Sequence, residues 1–192
     1  MNAEIIAICT GARIDRAERC APALSEAMEL YAVNTIDRKA MFLANIGHET
    51  GGLHYLTEIW GPTAAQSRYE GRADLGNTQA GDGRKFCGHG MLQITGRYNH
   101  AAARDRLRQR FPELGVPDFE AFPELLGVPQ WAALSAGDYI ERTDCQRFAD
   151  VGDFDGYCDT INRGRKTAAD GDSNGYEDRY KLYRAAMRVL TS

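Results

Sequence analysis

Glu49 and Glu58 stand out as side chains that could carry out acid–base chemistry. Glu49 lies in the run His48-Glu49-Thr50-Gly51-Gly52, at the end of an apolar helical pattern over residues 36–48. A carboxyl group there faces the negative end of the helix dipole, and partial burial acts in the same direction. Both effects favour the protonated form, which is the form a general acid needs. The competing interpretation is an ordinary surface glutamate at a helix end, which is the commoner case for a single Glu.

Glu58 follows Glu49 by nine positions. On one continuous helix this spacing places the two side chains on opposite faces, so they can face each other only if the chain turns between them. The pair Gly51-Gly52 predicts such a turn. Two carboxyl groups that face a cleft are the minimal equipment of a glycosidase.

Two other chemistries fit the same residues less well. His48 and His54 with Glu49 resemble a zinc-protease helix, but that motif needs two histidines four positions apart, and these are six apart across the glycine pair. Cys87 with His89 or His100 could be proposed as a thiol nucleophile and its base, yet no sequence signature supports it. We therefore expect no metal site.

Most of the elements that would position these residues are predicted to be helical. The pattern at the C-terminal end is amphipathic over 176–190, and Asn174 with Glu177 predicts a capping box at its start. The short run Gly90–Thr95 is the best strand candidate and predicts a small hairpin. Further helices are predicted at about 3–9, 20–32, 36–48, 99–110, 122–127 and 130–149.

Two long stretches read as irregular connections. Residues 61–90 are rich in glycine and polar residues, which indicates a loop that lines something rather than a core segment. Residues 111–130 contain four prolines and could join two lobes. The coarse prediction is a mainly α chain, one domain over 1–192 with two lobes.

Composition limits the function classes. The chain has 192 residues, 43% of them hydrophobic, and a formal net charge of −4. This balance argues against a protein whose main role is wrapping nucleic acid, which usually needs a basic surplus. No apolar run is long enough for a membrane span and Met1-Asn2-Ala3-Glu4 lacks a basic signal-peptide region, so we expect a cytoplasmic chain with no signal peptide and no membrane insertion.

The cysteine count indicates a reduced protein. Five cysteines without any CxxC spacing leave at least one thiol unpaired. Because disulfides are rare in the cytosol, we expect mostly reduced, partly buried thiols. A Cys145–Cys158 or Cys9–Cys20 pair remains open after export.

Several motifs in order along the chain resemble glycoside hydrolase family 19, and more closely its bacteriophage endolysins than its chitinases. The resemblance is carried by the run from His48 to Gly52 with Glu58, by Gly88-His89-Gly90-Met91-Leu92-Gln93-Ile94-Thr95-Gly96-Arg97-Tyr98-Asn99, and by Thr160-Ile161-Asn162-Arg163-Gly164. It extends to shorter matches at 123–126, 132–136, 152–154 and 175–179. It implies a two-lobed lysozyme/chitinase-like α+β fold with a small β-hairpin beside a central cleft.

The resemblance also implies catalytic roles. Glu49 matches the general acid, Glu58 the general base in members with a short loop, and Thr95 a hydroxyl residue that helps hold the attacking water. The implied reaction inverts the anomeric carbon, with the carboxyl groups roughly 6.5–9.5 Å apart. Glu70 is a competing candidate for the base, because plant-type members have a longer loop between their two acids. No cofactor is implied, since two carboxyl groups and water complete the chemistry.

Five further positions match residues of the substrate cleft in the family. Gln93 and Asn162 match residues that hydrogen-bond the sugar and its acetamido group, and Arg179 matches an arginine that tunes the carboxyl groups. His48 and Tyr98 match positions of the cleft wall. One departure is clear: the family usually has basic residues where this chain has Cys87 and His89.

The resulting hypothesis is an endolysin, expected to be a monomer, that cuts the β-1,4-linked glycan strands of peptidoglycan. It would stay in the cytoplasm of the host bacterium until it is released to the wall, which a small region within about 100–130 could help to bind. Two alternatives are a chitinase that acts on N-acetylglucosamine polymers and a wall-binding module without catalysis. The bond cleaved and the host are not set by the sequence.

Overall fold

The structure is a computed structural model that describes residues 1–192, and it is built almost entirely from helices and turns. None of the helices has the length and apolar character of a membrane span. The ten α-helices in chain order are α1 (Ala3–Thr10), α2 (Ile14–Leu30), α3 (Ile36–Glu49), α4 (Ala64–Ser67), α5 (Asp82–Lys85), α6 (Arg97–Arg110), α7 (Pro129–Arg142), α8 (Gln146–Asp150), α9 (Phe154–Arg163) and α10 (Tyr176–Leu190).

The chain divides into two compact units. The first unit comprises Met1–His54 and Tyr139–Ser192, and the second comprises Tyr55–Asp138. Helix α7 begins in the second unit and ends in the first.

In the first unit, α10 packs against α3 and α1, and α1 also packs against α2. The apolar stripe of α3 that the sequence predicted is buried from Ala40 onward, whereas its first member, Ile36, is 41% exposed. Side chains of α1, α2 and α9 are buried with it; the buried set includes Ile6, Leu24, Met41, Phe42, Leu43, Ile46 and Tyr157. Gly47 lies where α3 comes closest to the end of α1, because a Cβ there would be 2.4 Å from the carbonyl oxygen of Thr10.

Helix α3 ends in the sharp turn that the glycine pair predicted. Gly51, Gly52 and Leu53 have φ values of 56°, 68° and 57°, so three successive residues are left-handed. The buried side chain of Thr50 stabilises this turn, because its hydroxyl donates to the carbonyl of Ile46 (2.6 Å) and accepts from the backbone N–H of Leu53 (2.8 Å). The turn therefore directs the chain away from α3 immediately after Glu49.

The core of the second unit is formed by α6, the first part of α7, and shorter helices and turns. Its buried side chains include Phe86, Met91, Leu107, Phe119, Leu126 and Leu134. The segment 61–90, expected to be a loop, contains α4, α5 and a 3-10 helix at Ala73–Leu75. The segment 111–130 contains two more 3-10 helices, at Pro112–Leu114 and Pro123–Gly127, and the start of α7.

The structure corrects three local predictions. No strand forms over Gly90–Thr95; instead two isolated antiparallel bridges join Thr57 to His89 and His89 to Ile94, and a tight turn connects the second pair. The helix expected over 130–149 is broken between α7 and α8, where Asp144 has a φ of 51°. The capping box is absent, because the residue that caps α10 is Gly175, with a φ of 69°.

The Gly47 contact yields the first prediction. Replacing Gly47 with Ala should push α3 away from α1, and we expect the free energy of unfolding to fall by about 1–3 kcal/mol despite the better helix propensity of Ala. Urea denaturation measures the change. Gly61→Ala is the control, because the nearest atom to a Cβ at Gly61 is 3.7 Å away. Equal stability of the two variants would contradict the close approach.

Candidate active site

Glu49 is held by a buried arginine in the first unit. Its carboxylate lies at the last residue of α3 with 23% of the side chain exposed, while the Arg179 side chain on α10 is 1% exposed. The Nη2 group of Arg179 donates to Oε1 of Glu49, and no protein group donates to Oε2. Glu49 therefore has one oxygen fixed and one free.

The other donors of Arg179 are also used. Its Nη1 donates to Oδ1 of Asn45 at 2.7 Å and its Nε to the carbonyl of Asn174 at 3.0 Å. Asn45 lies four residues before Glu49 on α3, so both side chains point to the same face of the helix. The Nδ2 group of Asn45 donates to the carbonyl of Met41 at 2.9 Å, which fixes the orientation of the amide. Sequence reasoning missed Asn45, although its spacing from Glu49 was a usable signal.

His48 and Asn162 stabilise the segment that leads into α10. The Nδ1 atom of His48 lies 2.7 Å from Oδ2 of Asp178. Its ring occupies the space beside Gly175, where a Cβ would be 2.0 Å from Cε1. Oδ1 of Asn162 accepts from the backbone N–H of Asn174 at 3.1 Å, and Asn174 in turn accepts from Arg179. The four residues predicted in this unit, His48, Glu49, Asn162 and Arg179, thus form one connected group.

Glu58 is the centre of the second unit's polar group. Its Oε2 accepts from the backbone N–H of Gly88 at 2.9 Å, and its own N–H donates to the Gly88 carbonyl at 2.7 Å. The Nε2 group of Gln66 donates to Oε1 of Glu58 at 3.0 Å. Gln66 is 4% exposed and its Oε1 accepts from the N–H groups of Gly61 and Thr63, so its amide is fixed. Both carboxylate oxygens of Glu58 therefore have a positioned donor.

Tyr69 also contacts Glu58, and sequence reasoning missed it. Burial raises the pKa of Tyr69, and the negative charge of Glu58 and a hydrogen bond to it act in the same direction. The phenol therefore stays protonated and can donate to Glu58 over the working range of most enzymes. It also packs beside Trp60, with ring centroids 6.4 Å apart.

Gln93, Thr95 and Tyr98 are placed differently from one another. Gln93 has a φ of 50°, and its Nε2 donates to the carbonyls of Gly90 (3.1 Å) and Tyr55 (3.3 Å). The Gln93 side chain also lies against Gly88, the residue that donates to Glu58, because a Cβ on Gly88 would be 2.4 Å from Oε1 of Gln93. The hydroxyl of Thr95 donates to the Gln93 carbonyl at 3.1 Å. Tyr98 is 61% exposed, and its ring lies against Gly76.

Glu70, the rival candidate for the base, is engaged elsewhere. Its Oε1 accepts from the N–H of Gly81 at 2.7 Å and its Oε2 from the N–H of Gly83 at 2.8 Å. A carboxylate that bridges two backbone amides stabilises the start of α5. Glu70 thus has an evident structural role.

The alternative chemistries find little support. No group of three or more His, Cys, Asp or Glu side chains is arranged to hold a metal ion. Burial and the charge of Glu58 raise the pKa of Cys87, which disfavours the thiolate that a nucleophile needs. All five cysteines are buried and unpaired.

Comparison with known proteins then identifies the family. No protein-family model matches the chain. A Haemophilus influenzae protein described as a glycosyl hydrolase family 19 domain-containing protein is 30% identical to this chain over an alignment of 178 positions, and 78% of each chain is covered. The chain therefore belongs to glycosyl hydrolase family 19. The family resemblance found in the sequence is confirmed, and the protein is a glycoside hydrolase with a glycan substrate.

Solved structures agree on the fold of this family 19 protein. Chitinase C from Streptomyces griseus HUT6037 matches all of the chain and 76% of its own length, with a TM-score of 0.71 and 21% identity. A mutant of chitinase C matches with a TM-score of 0.69 and 19% identity, over all of this chain and 76% of its own. The mainly helical, chitinase-like fold is confirmed, whereas the β-hairpin is reduced to the two bridges.

The buried guanidinium yields the second prediction. Arg179→Lys keeps the charge, but an ammonium group cannot reach Asn45, Glu49 and Asn174 together. We expect a loss of unfolding free energy on the order of 2–4 kcal/mol, because buried acceptors are left unpaired. Thermal and urea denaturation measure it.

Arg13→Lys is the matched control. Arg13 pairs with Asp15 at the surface, with side-chain exposures of 73% and 61%, so the change should cost almost nothing. Equal losses in the two variants would show that the buried network contributes no more than a surface ion pair.

Proposed function

We propose that this family 19 glycosidase is an endolysin that hydrolyses the β-1,4 bonds of peptidoglycan by an inverting mechanism. Glu49 is the general acid and Glu58 the general base. The observation that carries the assignment is the difference between their surroundings. Glu49 keeps Oε2 without a protein donor, so that oxygen can carry the proton for the glycosidic oxygen. Glu58 accepts at both oxygens, as an ionised base does.

The proposal adds two groups of supporting residues, those that orient the carboxyl groups and those that the family resemblance assigns to the water and the glycan. Arg179 fixes the orientation of the acid, and Gln66 with the backbone of Gly88 fixes that of the base. Thr95 holds the attacking water, while Gln93 and Asn162 bind the sugar and its acetamido group. His48 and Tyr98 supply wall positions for the glycan.

Peptidoglycan is proposed as the substrate on the resemblance of the motifs to phage endolysins. The same proposal has the enzyme remain in the host cytoplasm until its release to the wall and act as a monomer. A wall-contacting role for residues 100–130 belongs to it too, although Arg104 and Arg106 of that stretch are already paired with Asp118 and Asp138. Chitin is the second candidate, because it is the other substrate class of the family that the motifs resemble; the likeness to chitinase C, at 21% identity, supports the fold and does not choose between the two substrates.

The third prediction tests the two acids. Glu49→Gln and Glu58→Gln keep the shape of each side chain but remove the acid and the base. We expect kcat to fall by about 10²–10⁴-fold in each, with KM little changed. Turbidity loss of purified sacculi and release of reducing ends measure the rates.

Glu70→Gln is the control for the base. Gln keeps an acceptor for one of the two amides of α5, so activity should stay within about tenfold of the parent at some cost in stability. An inactive Glu70→Gln protein beside an active Glu58→Gln protein would transfer the base to Glu70.

The fourth prediction concerns the substrate and the stereochemistry. We expect purified peptidoglycan to be cleaved faster than chitin oligomers of equal concentration, with the new reducing ends identified by mass spectrometry. Proton NMR during the first turnovers should show the α-anomer, because inversion of a β-linkage yields it. Cleavage of chitin alone would favour the chitinase, and an initial β-anomer would exclude inversion. Binding to sacculi without cleavage of either polymer would favour the non-catalytic module.

A further inference from the structure

Two buried histidines in the second unit have no place in the mechanism proposed above. His89 is 4% exposed and His100 is fully buried. Nδ1 of His89 lies 3.1 Å from Nε2 of His100, and the ring planes meet at 83° with centroids 5.2 Å apart. His89 occupies one of the positions where the family usually has a basic residue. The pair is therefore a feature of this chain that the family resemblance leaves unexplained.

The hydrogen bonds determine which nitrogens carry protons. Nδ1 of His100 lies 2.9 Å from the carbonyl oxygen of Gly96, which can only accept, so the proton of His100 is on Nδ1. Nε2 of a neutral His100 is then an acceptor, so we infer that Nδ1 of His89 carries a proton and donates to it, while the Cys87 backbone also accepts from the His89 ring. Both rings are thus in the Nδ1–H form, because each tautomer is set by the bond the other nitrogen makes.

His89 also takes part in both of the β-bridges in the protein. It exchanges backbone hydrogen bonds with Ile94 (3.0 and 2.8 Å) and is bridged to Thr57 on its other side. The next residue back, Gly88, makes both backbone contacts to Glu58. The side chain of His89 is buried and is hydrogen-bonded to the ring of His100.

We propose that His89 and His100 are positioning residues for Glu58: His100 anchors the His89 ring, and His89 fixes the backbone at Gly88 that orients the Glu58 carboxylate. This rests on the proposed role of Glu58 as the base. The pair works only while it shares one proton between the facing nitrogens. A second proton there would set Nδ1–H of His89 against Nε2–H of His100 and separate the rings.

The surroundings keep the pair neutral at pH 7. Burial lowers the pKa of His100 to about 4, with a further lowering from His89, although the Gly96 carbonyl opposes the shift. Burial also lowers the pKa of His89, against the charges of Glu124 and Glu58 and a hydrogen bond to the backbone of Cys87. Because burial lowers both pKa values in the folded protein, the pair stays neutral below the ordinary value of 6.5, and His100 takes up a proton only as the pH falls towards about 4. The stability that the neutral pair contributes is complete above about pH 6.5, where the unfolded histidines are neutral as well, and it is lost as the pH falls from there towards 4.

The first test reads the tautomers directly and needs no substrate. The chain has four histidines, so their ring nitrogens can be resolved in long-range ¹H–¹⁵N spectra of the whole protein. We expect His89 and His100 both to show the Nδ1–H form at pH 7, whereas a free imidazole prefers Nε2–H. Assignment uses His89→Gln and His100→Gln. A Nε2–H form at either residue would overturn the proposal, whatever the activity.

The second test separates positioning from simple packing. His100→Phe fills the same space with an aromatic ring but offers His89 no acceptor. The ring of Phe86, whose centroid lies 5.3 Å from that of His100 in an edge-on arrangement, can pack against the new ring. His100→Gln offers an amide oxygen to His89. We expect kcat of the Phe variant to fall on the order of 10- to 100-fold with KM little changed, and the Gln variant to recover most of that loss. A Phe variant with parental kcat, or equal losses in both variants, would overturn the proposal.

The pH dependence of kcat gives a third test, because a purely structural role of the histidines in packing would leave it unchanged. In the parent, kcat should fall in acid partly because the pair takes up a proton, so the acid limb of His100→Gln should move to lower pH. His54→Gln, a change at an exposed histidine of the other unit, should leave the profile as in the parent. An unmoved acid limb in His100→Gln would contradict the proposal.

Failure of the proposed function is recognised separately. If Glu58→Gln keeps full activity, Glu58 is not the base, and the tautomer experiment still reports on the histidine pair alone. If Glu58→Gln is inactive and the His100 variants match the parent, Glu58 is the base but His89 and His100 do not position it.

Discussion

The first unit is organised around one buried positive charge. A guanidinium group removed from water costs several kcal/mol unless acceptors surround it, and Arg179 is 1% exposed. Its three nitrogens are matched by Glu49, Asn45 and the Asn174 carbonyl. Helix α10 therefore has to lie against α3 at one register. The carboxyl group of Glu49 is oriented by the same bonds that stabilise the fold.

The second unit orients its carboxyl group by a different means. The carboxylate of Glu58 accepts from one backbone amide, that of Gly88, from the buried side-chain amide of Gln66 and from Tyr69, all of them uncharged donors. Such an arrangement requires the backbone itself to be fixed, and with no sheet present the two bridges at His89 do this locally. Gly88 has to be a glycine in this arrangement, because a side chain there would clash with Gln93. Stability and site geometry thus share the same few contacts in both units.

The errors of sequence-based prediction have a common physical cause. The helix expected over 130–149 has a suitable apolar pattern, but Asp144 adopts a left-handed backbone conformation between α7 and α8, and Phe148 of α8 is buried. The capping box expected before α10 does not form, because the N-cap residue is Gly175, which has no side-chain acceptor. A run with β-forming residues at 90–95 forms a turn, since only single residues find a pairing partner. Tertiary contacts outweighed local preference in each case.

The sequence by itself determined the helical class, the limits of α3 and α10, the turn after Glu49 and the family, because periodicity, glycine and ordered motifs act over short stretches of chain. It did not determine which carboxyl group is free and which is tied. Only the folded chain leaves Oε2 of Glu49 without a donor, brings the amides of Gly81 and Gly83 to Glu70, and brings those of Gly88 and Gln66 to Glu58. The partners of Arg179 and the pairing of His89 with His100 were likewise decided in three dimensions, because hydrogen bonds between side chains depend on distances that spacing along the chain does not contain.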